Sequence, residues 1–345
     1  MSWDFEFSYK KNIQKKKWVF GDKYFRIGDP FKWVDGDLGL ANQDFTGIVA
    51  LLQWYSGFYE KYPTLKEFLY PDYERDFQII KNEYQKIFDF YFPFLDSSNK
   101  EYANYIECNS LSVAQDLCVL KNYAKDIFNK ENLCHLDFGP GLGGASIYSL
   151  KILNSTFTSI EAHKFCYSIQ RLFYRKILNE KQKYLDLVAA ETFSLEDSEL
   201  KKLINSKNFN IKQIPSWFFE DIESDSQDLI TSTRCLNEIN DAGVIHFIIN
   251  ADRVLKNGGY MYFRDSNKRK PGRNIIDYDE VFEKIFGYQV IKKFDLVNRK
   301  DIFSIPRLYK KIKNTSYSFE ELFDLVIGFE AVTSHGGYFN QNIKD

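Results

Sequence analysis

Asp137-Phe138-Gly139-Pro140-Gly141-Leu142-Gly143-Gly144 is the stretch on which the fold turns. Before it stands Leu133-Cys134-His135-Leu136-Asp137-Phe138, an apolar run that reads as a buried strand. After it comes a helical pattern reaching about Leu153. Strand, glycine turn and helix in that order form a loop whose bare backbone can approach a ligand closely. Such a loop sits at the carboxyl end of a strand, where open α/β sheets bind ligands.

Outward from this turn, short apolar runs alternate with helical patterns. Leu111 to Phe128 predicts a helix before the turn. After it come a strand at Phe157 to Glu161, a helix at about His163 to Leu178 and a polar helical stretch over 180–206. Lys212 to Ile214 reads as a weak strand, and Asp228 to Ser232 as another, followed by a helix near 238–255. Gly258-Gly259 turns into Tyr260 to Arg264, and a helix over 276–286 follows. Alternation of this kind predicts an α/β fold with helices on both faces of a sheet. The last two runs, Tyr288 to Val297 and Arg307 to Lys313, are too close for a helical crossover and should pair antiparallel. Upstream, 44–58 and 72–92 read as helices, the second with Phe77, Ile80, Tyr84, Ile87, Phe88 and Tyr91 on one stripe. The pattern divides into an aromatic-rich, mainly helical region at 1–108, a domain of alternating strands and helices at 109–314, and a helix with a polar tail at 315–345.

Composition narrows the function. Lys and Arg total 46 against 48 Asp and Glu, a net charge of −2, where a phosphate-backbone binder carries a basic excess. Nucleic acid is therefore disfavoured as a partner. The five cysteines have no metal-ligand spacing, which reads as reduced thiols in a cytoplasmic protein. No apolar run reaches the length of a membrane span.

Asp137 stands two residues before the first glycine, and Glu161 ends the next strand. A carboxylate at the first position suits a cationic amino-acid group and is poor company for a pyrophosphate. One at the second can accept from ribose hydroxyls. Gly139, Gly141 and Gly144 also fit G-x-G-x-x-G, so a nicotinamide-dependent oxidoreductase remains an alternative.

Asp137, Gly139, Gly141 and Gly143 together resemble the first motif of the class I S-adenosylmethionine-dependent methyltransferases, an acidic residue followed by G-x-G-x-G. The resemblance covers 109–314. It implies a Rossmann-like, seven-stranded sheet of order 3-2-1-4-5-7-6 with strand 7 antiparallel. It places the glycine loop against the methionine part of S-adenosylmethionine and Glu161 on the ribose. It brings Pro215-Ser216-Trp217 near the adenine. Many family members have an Asp in that turn; here Ser216 stands there, with Trp217 to stack. Thr233 and Arg234, at the end of strand 4, would border the transferred methyl group. The long N-terminal region and the Asn237-Glu238 pair are similar to bacterial sugar O-methyltransferases of surface-polysaccharide pathways, which implies a carbohydrate or nucleotide-linked sugar as acceptor. Another small metabolite as acceptor, and a non-catalytic binding module, are the further alternatives.

A sugar hydroxyl needs help to lose its proton. Glu238 is the first candidate base and Asp265 the second, with Arg234 and Asn237 as acceptor contacts. Two carboxylates without a histidine give little support for a divalent metal. Of the four histidines, His135 reads as a core residue, His163 either as a border of the adenosine site or as an ordinary helix start, His246 as solvent-facing, and His335 as part of the tail. The basic run Lys268-Arg269-Lys270 with Arg273 reads as a solvated loop.

Overall fold

The computed structural model describes residues 7–8, 10–12, 69–91, 100–236, 239, 241–265, 277–294 and 305–326. The expected helix at 44–58, the basic run at 268–273, Asn237, Glu238 and His335 lie outside these residues.

Eight strands form one mixed sheet: β1 (Cys134–Phe138), β2 (Thr156–Glu161), β3 (Tyr184–Asp186), β4 (Ile211–Pro215), β5 (Gln227–Thr233), β6 (Leu255–Asp265), β7 (Gln289–Lys293) and β8 (Ile305–Lys310). Their order is β3-β4-β2-β1-β5-β6-β8-β7. Seven of them follow the order 3-2-1-4-5-7-6. The eighth, β3, lies outside that order and pairs parallel with β4 at the edge. It was hidden in the stretch read as helical over 180–206. Three residues are too few to show a period of two, and the only α-helix there is α5 (Asp197–Asn205). The antiparallel ending is present: β8 runs against both β6 and β7.

β1 lies centrally, parallel to β2 on one side and β5 on the other. Its alternate residues point to opposite faces. Leu136 and Phe138 enter a core with helix α6 (Asp241–Val254), whereas Phe157 of β2 joins the core on the other face. There it meets α1 (Tyr73–Tyr91), α2 (Lys100–Tyr123), α3 (Ala145–Lys151) and α4 (Lys164–Ile177). Both faces are covered, as a largely parallel sheet requires.

The stripe on α1 is core, with Ile80, Tyr84, Ile87 and Phe88 buried. The boundary expected at 108/109 falls inside α2, which is continuous across it. Both helices reach the glycine turn. A Cβ on Gly144 would collide with the Tyr84 hydroxyl and stand 2.7 Å from Val113 Cγ2, so only glycine admits α1 and α2 at this point. No helix among the described residues is long and apolar enough to cross a membrane.

Candidate cofactor site

The β1–α3 turn folds as its glycines permit. Gly139, Gly141 and Gly143 have φ of 69°, 57° and 87°, in the left-handed region where a side chain is strained. Gly139 N–H donates to Ile160 O at 2.9 Å and carries the β1–β2 ladder one residue into the turn. Gly143 N–H donates to Pro140 O at 2.8 Å, and Ser146 Oγ donates to Gly143 O at 2.6 Å. The result is a turn of bare main chain at the carboxyl end of β1, buried except at Gly141, which is partly exposed.

Asp137 lies beneath this turn, 2% exposed. Thr231 Oγ1 donates to its Oδ1 at 2.7 Å. Since the Thr231 proton is used there, His135 Nε2 must donate to Thr231 Oγ1 (2.8 Å), and Ser149 Oγ donates to His135 Nδ1 (3.1 Å). His135 is thus a core residue, as expected, but one that orients Asp137 through Thr231. Burial drives its imidazole down to about 3, so it is neutral. Burial also pushes the Asp137 carboxyl up to about 7; the Thr231 hydrogen bond opposes the rise and the charge of Asp116 adds to it.

Glu161 ends β2 with no exposed surface. Ala162 N–H and His163 N–H donate to its Oε1 at 2.9 and 2.8 Å, and Gln170 Nε2 donates to its Oε2 at 2.7 Å. A carboxylate accepts about four hydrogen bonds, so Oε2 retains capacity for a ligand hydroxyl. Burial pushes this carboxyl up to about 8 against those three donors. His163 stands at the N-terminal boundary of α4 next to it, without a side-chain capping bond. Gln170 was missed by the sequence reading. Its signal was a polar residue on the buried stripe of an amphipathic helix, between Tyr167 and Tyr174.

The other expected site residues separate. Ser216 is buried at the β4 end, in register with the neighbourhood of Glu161, which pairs with Pro215. Trp217, expected to stack near the adenine, has no exposed surface here and packs in the core beside Phe218. The apolar sequence Trp217-Phe218-Phe219 makes a short 3-10 turn that is driven inward as a unit. Thr233 ends β5, and Arg234 follows with φ 58°, its N–H donating to Arg264 O at 2.9 Å. Asp265 is 1% exposed, and its Oδ2 accepts from Leu236 N–H at 2.9 Å. The second candidate base thus also holds the backbone at Leu236. His246 is also corrected: it is 2% exposed, 3.2 Å from Glu220 Oε1, on a helix face that meets the 219–222 backbone through Arg253.

A second buried cluster borders the site. Asp116 of α2 receives Arg264 Nε at 2.7 Å and Nη2 at 3.0 Å, and Tyr262 Oη at 2.6 Å. This fork-shaped pair ties α2 to the carboxyl end of β6. Among the described residues no group of three or more His, Cys, Asp or Glu side chains is arranged to hold a metal ion.

No protein-family model matches this chain, and no curated protein matches its sequence. Solved structures do align with it. An S-adenosylmethionine-dependent methyltransferase from Aquifex aeolicus is 13% identical over 56% of this chain and 89% of its own, with a TM-score of 0.33. Phosphoethanolamine N-methyltransferase 1 from Haemonchus contortus, solved with phosphoethanolamine and S-adenosylhomocysteine, is 15% identical over 79% of this chain and 58% of its own, with a TM-score of 0.36. The [4+2]-cyclase SpnF is 13% identical over 58% of this chain and 81% of its own, with a TM-score of 0.38. Likeness at this level, shared by methyltransferases and a cyclase, leaves activity and substrate to be read from this chain's own residues.

Proposed function

We propose that this chain is an S-adenosylmethionine-dependent methyltransferase. One observation carries the reading: three alternate left-handed glycines, Gly139, Gly141 and Gly143, lie between two buried carboxylates whose hydrogen-bond donors are all neutral groups. Such a site suits a ligand that brings an ammonium group and a ribose diol. A pyrophosphate would instead add negative charge beside Asp137 and Glu161, where burial already works against charge. The residues present therefore fit the adenosyl cofactor, with the glycine turn and Asp137 at its amino-acid end and Glu161 at its ribose. When bound, the cofactor supplies an activated methyl group, and the protein's part is to position its partner.

The acceptor we propose is a hydroxyl of a sugar or nucleotide-linked sugar, in cytoplasmic assembly of a surface polysaccharide. This rests on the sequence layout and the Asn237-Glu238 pair. In this reading Glu238 takes the acceptor proton, Arg234 and Asn237 contact the acceptor, and Asp265 sets the course of the chain between them through Leu236. The region at 1–108 caps the acceptor side of the domain at 109–314.

Thermal unfolding tests the cofactor. At about 100 times its Kd, S-adenosylhomocysteine should stabilise the fold by about 2.7 kcal/mol, and NADH should leave the transition where it is. Stabilisation by NADH alone would replace the methyltransferase with the oxidoreductase. Transfer of labelled methyl groups to sugar nucleotides would then test the acceptor.

A further inference from the structure

The two halves of the proposed cofactor site lie on different strands, and one side chain joins them. Gln170 of α4 is fully buried. Its Nε2 donates to Gly141 O at 2.8 Å, in the middle of the glycine turn, and to Glu161 Oε2 at 2.7 Å, at the end of β2. An amide nitrogen has two protons, so both are used. Its Oε1 accepts from Ser159 Oγ at 3.1 Å and Gln213 Nε2 at 3.3 Å. Gln213 Nε2 also bonds Tyr167 O at 2.7 Å. The amide orientation is thereby fixed: rotating it would set its nitrogen against Gln213 Nε2 and its oxygen against the Glu161 carboxylate. One turn along the same helix, Tyr174 packs on the turn; a Cβ on Gly143 would stand 2.8 Å from its Cε1.

We infer that Gln170 is the positioning residue of this site: it sets the distance between the glycine turn and the Glu161 carboxylate, and thereby selects a ligand whose amino-acid and ribose ends are that far apart. The ligand part of this inference rests on the proposed cofactor; the coupling of the two elements does not. Glu161 holds Ala162 N–H and His163 N–H, so releasing its Oε2 loosens that corner as well. Gly141 lies on the other side and is released by the same change. A residue that merely filled the core would affect α4 and its neighbours without singling out these two corners.

The test is Gln170→Met, which keeps length and volume and removes both donors. In the unliganded protein, hydrogen exchange should quicken about tenfold, as loss of a buried hydrogen bond predicts, in peptides covering both 139–144 and 161–164. Peptides from α1 and β5 should be unchanged. S-adenosylhomocysteine should bind about tenfold more weakly by calorimetry. Exchange that quickens at only one corner, that stays at the wild-type rate, or that spreads evenly through α1 and β5 overturns the coupling. An unchanged Kd overturns the positioning role. Should wild type bind no S-adenosylhomocysteine, the methyltransferase reading falls, while the exchange experiment still decides whether Gln170 couples the two corners. Gln170→Glu, which keeps the acceptor for Ser159 and Gln213, carries the same readouts if the Met variant does not fold.

Discussion

Asp137 and Asp228 lie on neighbouring strands at opposite edges of the same sheet, and they are treated in opposite ways. Asp228, at the amino edge, faces Lys130 Nζ at 3.1 Å, Lys256 Nζ at 2.9 Å and Cys134 N–H at 2.9 Å. Although burial pushes its carboxyl up, these donors draw it below the ordinary value. Asp137, at the carboxyl edge, receives a hydroxyl and is pushed up to about 7. The same residue type is therefore a finished ion pair at one edge and an acid held by neutral groups at the other. A fold stabilises its own charges where it has supplied the partner. At Asp137 and Glu161 burial raises carboxyls that only neutral groups hold, in keeping with the ligand site proposed for them.

The strongest challenge to this contrast is Gly143→Val. A branched side chain at φ 87° would be strained and would meet the Tyr174 ring. We expect loss of measurable S-adenosylhomocysteine binding by calorimetry, and destabilisation by about 3 kcal/mol in urea unfolding.

Next in size is the exchange of charge for shape. Asp137→Asn and Glu161→Gln should each weaken S-adenosylhomocysteine at least about tenfold, yet leave the empty protein as stable as wild type or more so near pH 8. The sign follows from linkage. Both folded carboxyls are raised, to about 7 and about 8, above the unfolded values. Their contribution is complete below about pH 4 and is lost as pH rises through 7 and 8. The urea midpoint of wild type should therefore fall between pH 5 and 8.5, and that slope should flatten in the double variant; an equally steep slope would place the carboxylates' cost elsewhere.

Asp228→Asn should behave in reverse. Its lowered carboxyl contributes stability above the unfolded value, lost as pH falls. At pH 7 the variant should lose about 1–2 kcal/mol, because Lys130 and Lys256 are partly exposed. The smallest effect belongs to Lys284→Ala, which breaks an exposed i,i+4 pair with Glu280 at 3.2 Å; less than about 0.5 kcal/mol should be lost in the same urea assay.

The site side of this contrast could be read from the chain itself, because Asp137 and Glu161 are tied to strong local signals. Glycines spaced two apart after an apolar run mark the turn, and Glu161 closes the next apolar run. The antiparallel end of the sheet followed from loop length alone. What escaped were features that depend on the third dimension. Gln170 meets Gly141 across 29 residues, and Arg264 meets Asp116 across 148. His246 looked solvated because Asn250 and Arg253 share its face, yet Arg253 spends that polarity on the carbonyls of Phe219 and Ile222. The burial of Trp217 is likewise not visible from its neighbours in sequence.

Gly144 has one more effect. By letting Tyr84 and Val113 press directly on the turn, it makes the outer helices the backing of the proposed cofactor site. A reporter dye on the solvent side of α1 would then sense occupancy from behind, without touching whatever lies within.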